Sequence, residues 1–245
     1  MHPEILKRLS KIPTSIYVAD KSTPVISFGN FEKAKIGTVG INPSPKEFFN
    51  RDNLLAPDKK RLIDLESLNL QSYEQITENK AQAVLDGCYN YFNKRPLEWF
   101  DEFEELLSVK SFSYKDGSAS HIDLVQWCTT PEWGKIPSIE QKKLLESDKN
   151  FFHWQLENNN MEVIILGGRQ VLNQVEAIPE ITLELIDTLF YFSGSRKTSF
   201  ELYKMENFKG RKLLGWSVNL QIMRSSAEEK TGVFNVLKSF IGDEI

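Results

Sequence analysis

The residues best suited to chemistry cluster in a few short segments. Residues 40–44 read GINPS, which puts an amide, Asn42, between a glycine near a strand end and a rigid proline. Pro43 has a fixed φ and restrains Asn42 to extended conformations. An amide held this way can orient one water molecule or grip one edge of a nucleobase; the same pentad also serves as an Asx-type turn that ends a strand. His121 and Asp123 are two residues apart, so on a strand they face the same side and can pair. Residues 167–169 (GGR) place Arg169 where a helix could open, with its first amides facing an anion. Residues 193–224 carry seven basic side chains, Arg196, Lys197 and Arg224 among them, against two acidic ones. That local excess suits phosphates, although a solvated loop and hairpin would show the same pattern.

Composition narrows the chemistry. The 245 residues carry 30 Lys and Arg against 34 Asp and Glu, a net charge of −4, with 40% hydrophobic and 26% charged residues. These are globular values, and a chain of this mass can bury about 70% of its unfolded surface. The overall balance argues against a uniformly basic nucleic-acid binder, but the −4 is the sum of a +5 stretch at 193–224 and a −9 remainder. Two cysteines, Cys88 and Cys128, are too few for a four-thiolate zinc or iron–sulfur site and read as reduced buried thiols. The histidines, His2, His121 and His153, are too far apart for a metal-binding helix. No metal or cofactor is therefore expected. Neither a signal peptide nor a membrane span is legible, so a cytoplasmic protein is expected. GxGxxG, Walker A and GxSxG patterns are absent, so a dinucleotide, NTP or serine-hydrolase enzyme has no support.

Four short apolar runs read as buried strands: 35–41 (KIGTVGI), 121–127 (HIDLVQW), 162–166 (EVIIL) and 212–218 (KLLGWSV). Residues 187–192 and 199–205 can add edge strands, joined to the last run by a turn at 207–210 (NFKG). Helical spacing separates the runs at 79–92, from Pro96 to Leu107, after a capping-box pattern at 138–141, and after another at 226–229. The expectation is an α/β fold: three α/β/α layers around a four-stranded, mainly parallel sheet, in one domain spanning 1–245. Ligands of such sheets bind beyond the carboxyl ends of the strands, which is where GINPS, 128–131 (CTTP), GGR and 219–221 (NLQ) fall.

GINPS resembles the first motif of the uracil-DNA glycosylase superfamily, in its version with Asn rather than Asp. The element order from Ile36 onward is similar too, and residues 91–133 look like a divergent branch similar to a phage-defence glycosylase that removes glucosylated hydroxymethylcytosine. The resemblance implies a monomeric, metal-free enzyme that hydrolyses the N-glycosidic bond of a flipped-out pyrimidine in DNA, uracil or a modified cytosine. Asn42 matches the residue that positions the attacking water, with Ile41 beside it at the base. Phe49, or its neighbour Phe48, matches the aromatic that stacks on the base, though both also suit a core. The superfamily's Tyr after the first motif is replaced by Pro45 and Lys46, which would admit a larger pyrimidine. Asp123 falls where an Asn often reads uracil. A carboxylate only accepts, which suits the N4 amine of cytosine, or it caps a neighbouring loop. His121 could donate to a leaving base oxygen. Ser44, Ser217, Asn219, Leu220 and Gln221 match phosphate-binding and wedge positions, with Arg169, Arg196, Lys197 and Arg224 as further DNA contacts. The second motif lacks the superfamily's His and Pro at Trp216 and Ser217, which keeps a non-catalytic nucleic-acid-binding protein of the same fold as the alternative.

Overall fold

A computed structural model describes residues 1–50, 53–55, 59–193, 196–220, 223 and 226–245. It is an α/β protein with a six-stranded mixed sheet and six α-helices among the described residues. The chain divides into two compact units. One comprises Met1–Phe31, Ile41–Leu97 and His121–Asn159; the other comprises Glu32–Gly40, Glu98–Ser120 and Asn160–Ile245.

The second unit holds most of the sheet. Its buried apolar runs form β1 (Ile36–Gly40), β5 (Val163–Gly167) and β8 (Arg211–Trp216), and these pair in parallel: Ile36 lies opposite Val163, and Val163 opposite Lys212. β4 (Ala119–Asp123) lies at the β1 edge, giving the order β4-β1-β5-β8-β7-β6. The long hairpin of β6 (Glu184–Ser193) and β7 (Arg196–Phe208) extends the sheet antiparallel to β8. Six strands therefore replace the expected four. The extra two, β6 and β7, contain the runs at 187–192 and 199–205 expected as additional edge strands, and only β6 lies at the edge, since β7 pairs with both β8 and β6. The expected turn between β7 and β8 forms as Lys209 and Gly210 take positive φ and the Gly210 amide donates to Asn207 Oδ1 at 2.7 Å.

Helices lie on both faces of this unit's sheet. A Cβ at Gly215 would stand 2.5 Å from Leu172 of α5 (Arg169–Glu176), so the helix sits directly on the glycine. The next residue, Trp216, points the other way and stacks with Phe103 of α3 (Asp101–Leu107), their centroids 6.2 Å apart. α6 (Ala227–Glu244) packs with α3 and β6, and the expected capping box is present: Ser226 Oγ accepts from Glu229 N while Glu229 Oε2 accepts from Ser226 N.

The first unit contains α1 (Pro3–Leu9), α2 (Glu78–Tyr89), α4 (Ser138–Glu157) and a small hairpin of β2 (Phe49–Asn50) with β3 (Asn53–Leu54). Ser138 begins α4 as its first helical residue, and Pro137 rather than Ser138 occupies the cap, so the capping box read there does not form. Gln141 instead donates to the carbonyls of Trp133 and Ile136. α1 carries Arg8, fully enclosed, whose guanidinium donates to Asp148 Oδ2 of α4 at 2.6 Å and to Gln126 Oε1 at 3.1 Å. Asp148 Oδ2 also accepts from the Gln126 amide at 3.0 Å, and Arg8 lies 4.8 Å over the Trp127 ring. Burial pushes the Arg8 guanidinium down and the Asp148 carboxyl up, and each holds the other charged against that cost.

This ion pair should respond asymmetrically to substitution. Asp148→Ala leaves a buried cation without its partner and should cost about 3–5 kcal/mol, whereas a double Arg8→Met, Asp148→Leu variant should recover most of that loss. Urea unfolding of the three proteins checks it.

Candidate functional site

The candidate site is built where β1 and β4 end. β1 runs out into Ile41, whose carbonyl accepts from the Val125 amide at 2.9 Å. The next residue, Asn42, is half-buried, and its side-chain Nδ2 donates to Trp127 O at 3.3 Å, Thr129 Oγ1 at 3.1 Å and Pro43 O at 3.2 Å. Two N–H bonds thus meet three acceptors. The amide is oriented by that set, and its carbonyl Oδ1 is the atom left to accept a hydrogen from something else. Asn42 is therefore more than a turn that closes a strand.

Past Asn42 the loop folds into one 3-10 turn, Pro45–Glu47, because Ser44 Oγ caps it by accepting from the Lys46 amide at 3.3 Å. Ser44 is thus partly spent on its own loop. The turn drives Glu47 inward, to 0% exposure. Its Oε1 accepts from the Tyr91 hydroxyl at 2.8 Å, and Tyr91 in turn accepts from the Leu97 amide at 3.0 Å. Glu47 Oε2 is buried without a hydrogen-bond partner among the described residues. Burial raises the Glu47 carboxyl to about 8. Tyr91 and Arg61 oppose the rise, and the negative charge of Asp123 adds to it. At neutral pH Glu47 is accordingly a protonated acid, and its unpartnered oxygen can carry the proton. The Tyr91 phenol is pushed up by its own burial and by Glu47.

On β4, His121 and Asp123 do share a face. His121 Nε2 lies 3.3 Å from Asp123 Oδ1, and both side chains are buried. The His121 backbone exchanges two hydrogen bonds with Phe28, both 2.8 Å, within the first unit. Phe28 also packs edge-on against Tyr91 at 4.6 Å between centroids. Asp123 Oδ2, like Glu47 Oε2, is buried and unpartnered among the described residues. The first unit therefore contains an oriented amide, an imidazole–carboxylate pair and, within reach of the Asp123 charge, the raised acid of Glu47. Phe48 is core, at 1% exposure, while Phe49 in β2 is half-buried, so Phe49 is the better placed of the two to present a ring. Glu47 and Tyr91 escaped the sequence reading. A single Glu after a Pro-Lys pair looks like surface, and only the 3-10 turn turns it inward.

The second unit assembles a different group. Arg169 opens α5 as anticipated, but the amides of Gly168 and Arg169 donate to Trp216 O at 2.8 Å and Ser217 O at 3.0 Å and do not await an anion. The Arg169 guanidinium pairs with Glu201 and donates to the Tyr203 hydroxyl at 3.0 Å. Ser217 Oγ donates to Glu201 Oε2 and accepts from the Glu201 amide at 2.8 Å, so its hydroxyl is satisfied within the protein. Leu220 is 1% exposed and belongs to the core in this conformation, not to an exposed wedge. Asn219 is half-buried beside Gly168. Arg196 and Lys197 are exposed on β7. Gln221 and Arg224 lie outside the described residues.

Cys88 and Cys128 are both free and buried, and burial holds both thiols well above their ordinary value. No group of three or more His, Cys, Asp or Glu side chains that could hold a metal ion occurs among the described residues. None of the described helices is long and apolar enough to cross a membrane. No known protein-family model matches the chain, and no curated protein is detectably similar to it.

The charge state of Glu47 is testable through stability. Its carboxyl is protonated in the folded protein up to about 8 but ionises near 4.5 when unfolded. Between those values the unfolded state binds fewer protons, so folding weakens as pH rises and the loss is complete above about pH 8. Glu47→Gln removes the titration. The variant should gain a few kcal/mol relative to wild type between pH 5 and pH 8. Denaturant unfolding at four pH values checks it, and a constant difference would show that Glu47 is ionised in the fold.

Proposed function

We propose that the protein is a DNA glycosylase that hydrolyses the N-glycosidic bond of a flipped-out pyrimidine and leaves an abasic site, and that the base is of the cytosine type. The observation that carries this reading is the clamped amide of Asn42 in the same unit as two unpartnered buried carboxyl oxygens, those of Glu47 and Asp123. Asp123 Oδ2 can only accept, and protonated Glu47 Oε2 can donate. The Watson–Crick edge of cytosine offers the complement, an N4 amine that donates and an N3 that accepts. Uracil offers N3–H and O4 and would leave the carboxylate facing an oxygen.

In this mechanism Asn42 Oδ1 accepts from a water held near C1′. The water oxygen bonds to C1′ as the C1′–N1 bond breaks, and the bonding pair leaves on the base. The sugar passes through an oxocarbenium-like state, and the proton lost by the water neutralises the departing base. An amide is too weak a base to drive this by proton abstraction, so its contribution is position. Donors at the base edge, Glu47 and His121, stabilise the charge that develops there. Extruding the base costs a few kcal/mol, part of which contacts in the pocket offset. No metal or cofactor is invoked.

A non-catalytic nucleic-acid-binding protein is the second reading. It is favoured by Trp216 and Ser217, which stand where the resembled superfamily's second motif carries His and Pro.

Single- and double-stranded oligonucleotides containing uracil, hydroxymethyluracil, cytosine, hydroxymethylcytosine or glucosylated hydroxymethylcytosine separate these readings. Release of base beyond one equivalent, scored as alkali-labile sites, is expected for a cytosine-type substrate. Asn42→Ala should lower it by about 100-fold or more. Asp123→Asn should shift preference toward uracil-type bases by roughly tenfold. Release by Asn42→Ala at the wild-type rate removes Asn42 from the mechanism, and no release from any oligonucleotide removes the enzyme.

A further inference from the structure

The β6–β7 hairpin presents a face that the proposed hydrolysis does not use. Register assigns its two sides. Leu202 lies opposite Trp216 and Tyr203 opposite Gly215, so Leu202 and Phe200 belong to the face covered by α3 and α6, and Tyr203, Glu201, Ser199 and Lys197 to the face on which α5 sits. Phe200 and Leu202 are buried accordingly. On β6, Phe190 lies opposite Ser199 and Phe192 opposite Lys197, which puts both phenyl rings on the α5 side. α5 covers β5 and β8 but leaves this outer part bare: Phe190 is 58% exposed and Phe192 is 49% exposed. Two adjacent exposed phenylalanines on an ordered strand are costly in water and call for a ligand.

The charges around them identify its kind. Lys197 Nζ sits 4.0 Å over the Phe190 ring, and no ion pair involves Lys197 or Arg196 among the described residues. The acidic residue of this face, Glu201, is already paired with Arg169. What remains is two flat rings spaced two residues apart along a strand, one face of Phe190 covered by Lys197, with no ion pair neutralising Lys197 or Arg196 among the described residues. Unpaired bases stack on such rings, and the strand's phosphates lie along such cations, whereas a duplex hides its bases and cannot use the rings. An apolar protein partner would not require the cations.

We infer that the Phe190, Phe192 and Lys197 face of the β6–β7 hairpin binds single-stranded nucleic acid by stacking unpaired bases on the two rings, with Lys197 and Arg196 against the phosphates. No bond is broken here, so this binding stands or falls separately from the hydrolysis proposed at Asn42.

The probes are fluorescein-labelled dT15, rU15, a 15-mer of abasic spacers with the same phosphates, and a 15-base-pair duplex, read by anisotropy with the full-length protein. Wild type should bind dT15 or rU15 about tenfold or more tighter than the spacer strand. The stronger of the two names the natural strand, and either supports the inference. Phe190→Ala with Phe192→Ala should abolish that preference. Phe190→Leu with Phe192→Leu, which keeps the apolar surface but not the flat rings, should do the same. Lys197→Ala should reduce the slope of log affinity against log salt by about 0.7. Both phenylalanines are exposed, so thermal melting should be unchanged in every variant. Equal affinity for dT15, rU15 and the spacer strand would overturn the inference, as would retention of the preference by the leucine variant. So would a concentration-dependent dimer in sedimentation that the alanine variant abolishes while dT15 binding persists, because the rings would then serve a second copy of the chain. Loss of base release by Asn42→Ala with intact dT15 binding would leave this surface standing, and the converse pattern would leave the active site standing.

Discussion

Three acceptors around one side-chain amide hold the candidate site together. Asn42 Nδ2 is drawn to Pro43 O, Trp127 O and Thr129 Oγ1, so the segment leaving β1 and the segment leaving β4 are joined through a single residue. Support for those acceptors runs deeper into the first unit. Trp127 lies under Arg8, Arg8 is held by Asp148, and Asp148 also receives the Gln126 amide. Most polar atoms of this buried network find partners, although Arg8 Nη1 and Asp148 Oδ1 have none among the described residues, and the bonds that do form turn a loop into a rigid platform. The same rigidity lets an amide, a weak catalyst by itself, act by position.

Like Arg8 and Asp148 within that network, Glu47 and Asp123 carry unpartnered atoms among the described residues. Each keeps one oxygen buried and unpartnered, a state that costs free energy in the unliganded fold. Protonation lowers the penalty for Glu47, because a neutral acid is far cheaper to bury than a carboxylate, and the Asp123 charge makes the proton harder to lose. Protonated, Glu47 can donate where an ionised carboxylate could only accept. Two ionised carboxylates would repel, and two neutral ones would discard the acceptor.

Much of this was legible in the chain, and the misses have physical causes. The strand runs at Ile36, Val163 and Lys212 were visible because buried parallel strands are continuously apolar. β4 was placed too late: the expected 121–127 strand stops at Asp123, since Val125 bonds to Ile41 and the chain has begun to turn. The spacing of His121 and Asp123 specified a shared face, because period two is intrinsic to an extended chain. Glu47 could not be read, because its burial depends on a Ser44-capped turn and on a tyrosine 44 residues away. Leu220 and Ser217 were read as contacts for a ligand and turned out to serve the fold, one as core and one as partner to Glu201. A hydroxyl or a leucine after a strand looks the same in sequence whichever way it points.

The basic stretch at 193–224 illustrates why local charge must be divided further before it is interpreted. Lys204 and Lys212 are both held by Glu206 and Glu244, and Arg169 is held by Glu201. Those cations contribute little outward field, since each is matched at contact distance. Arg196 and Lys197 enter no ion pair among the described residues, and they stand beside the two exposed phenylalanines. Part of the excess counted along the sequence thus lies at one end of the β6–β7 hairpin. A polyanion approaching this end of the hairpin meets two cations beside the flat rings, so electrostatic attraction and the stacking surface act on the same ligand.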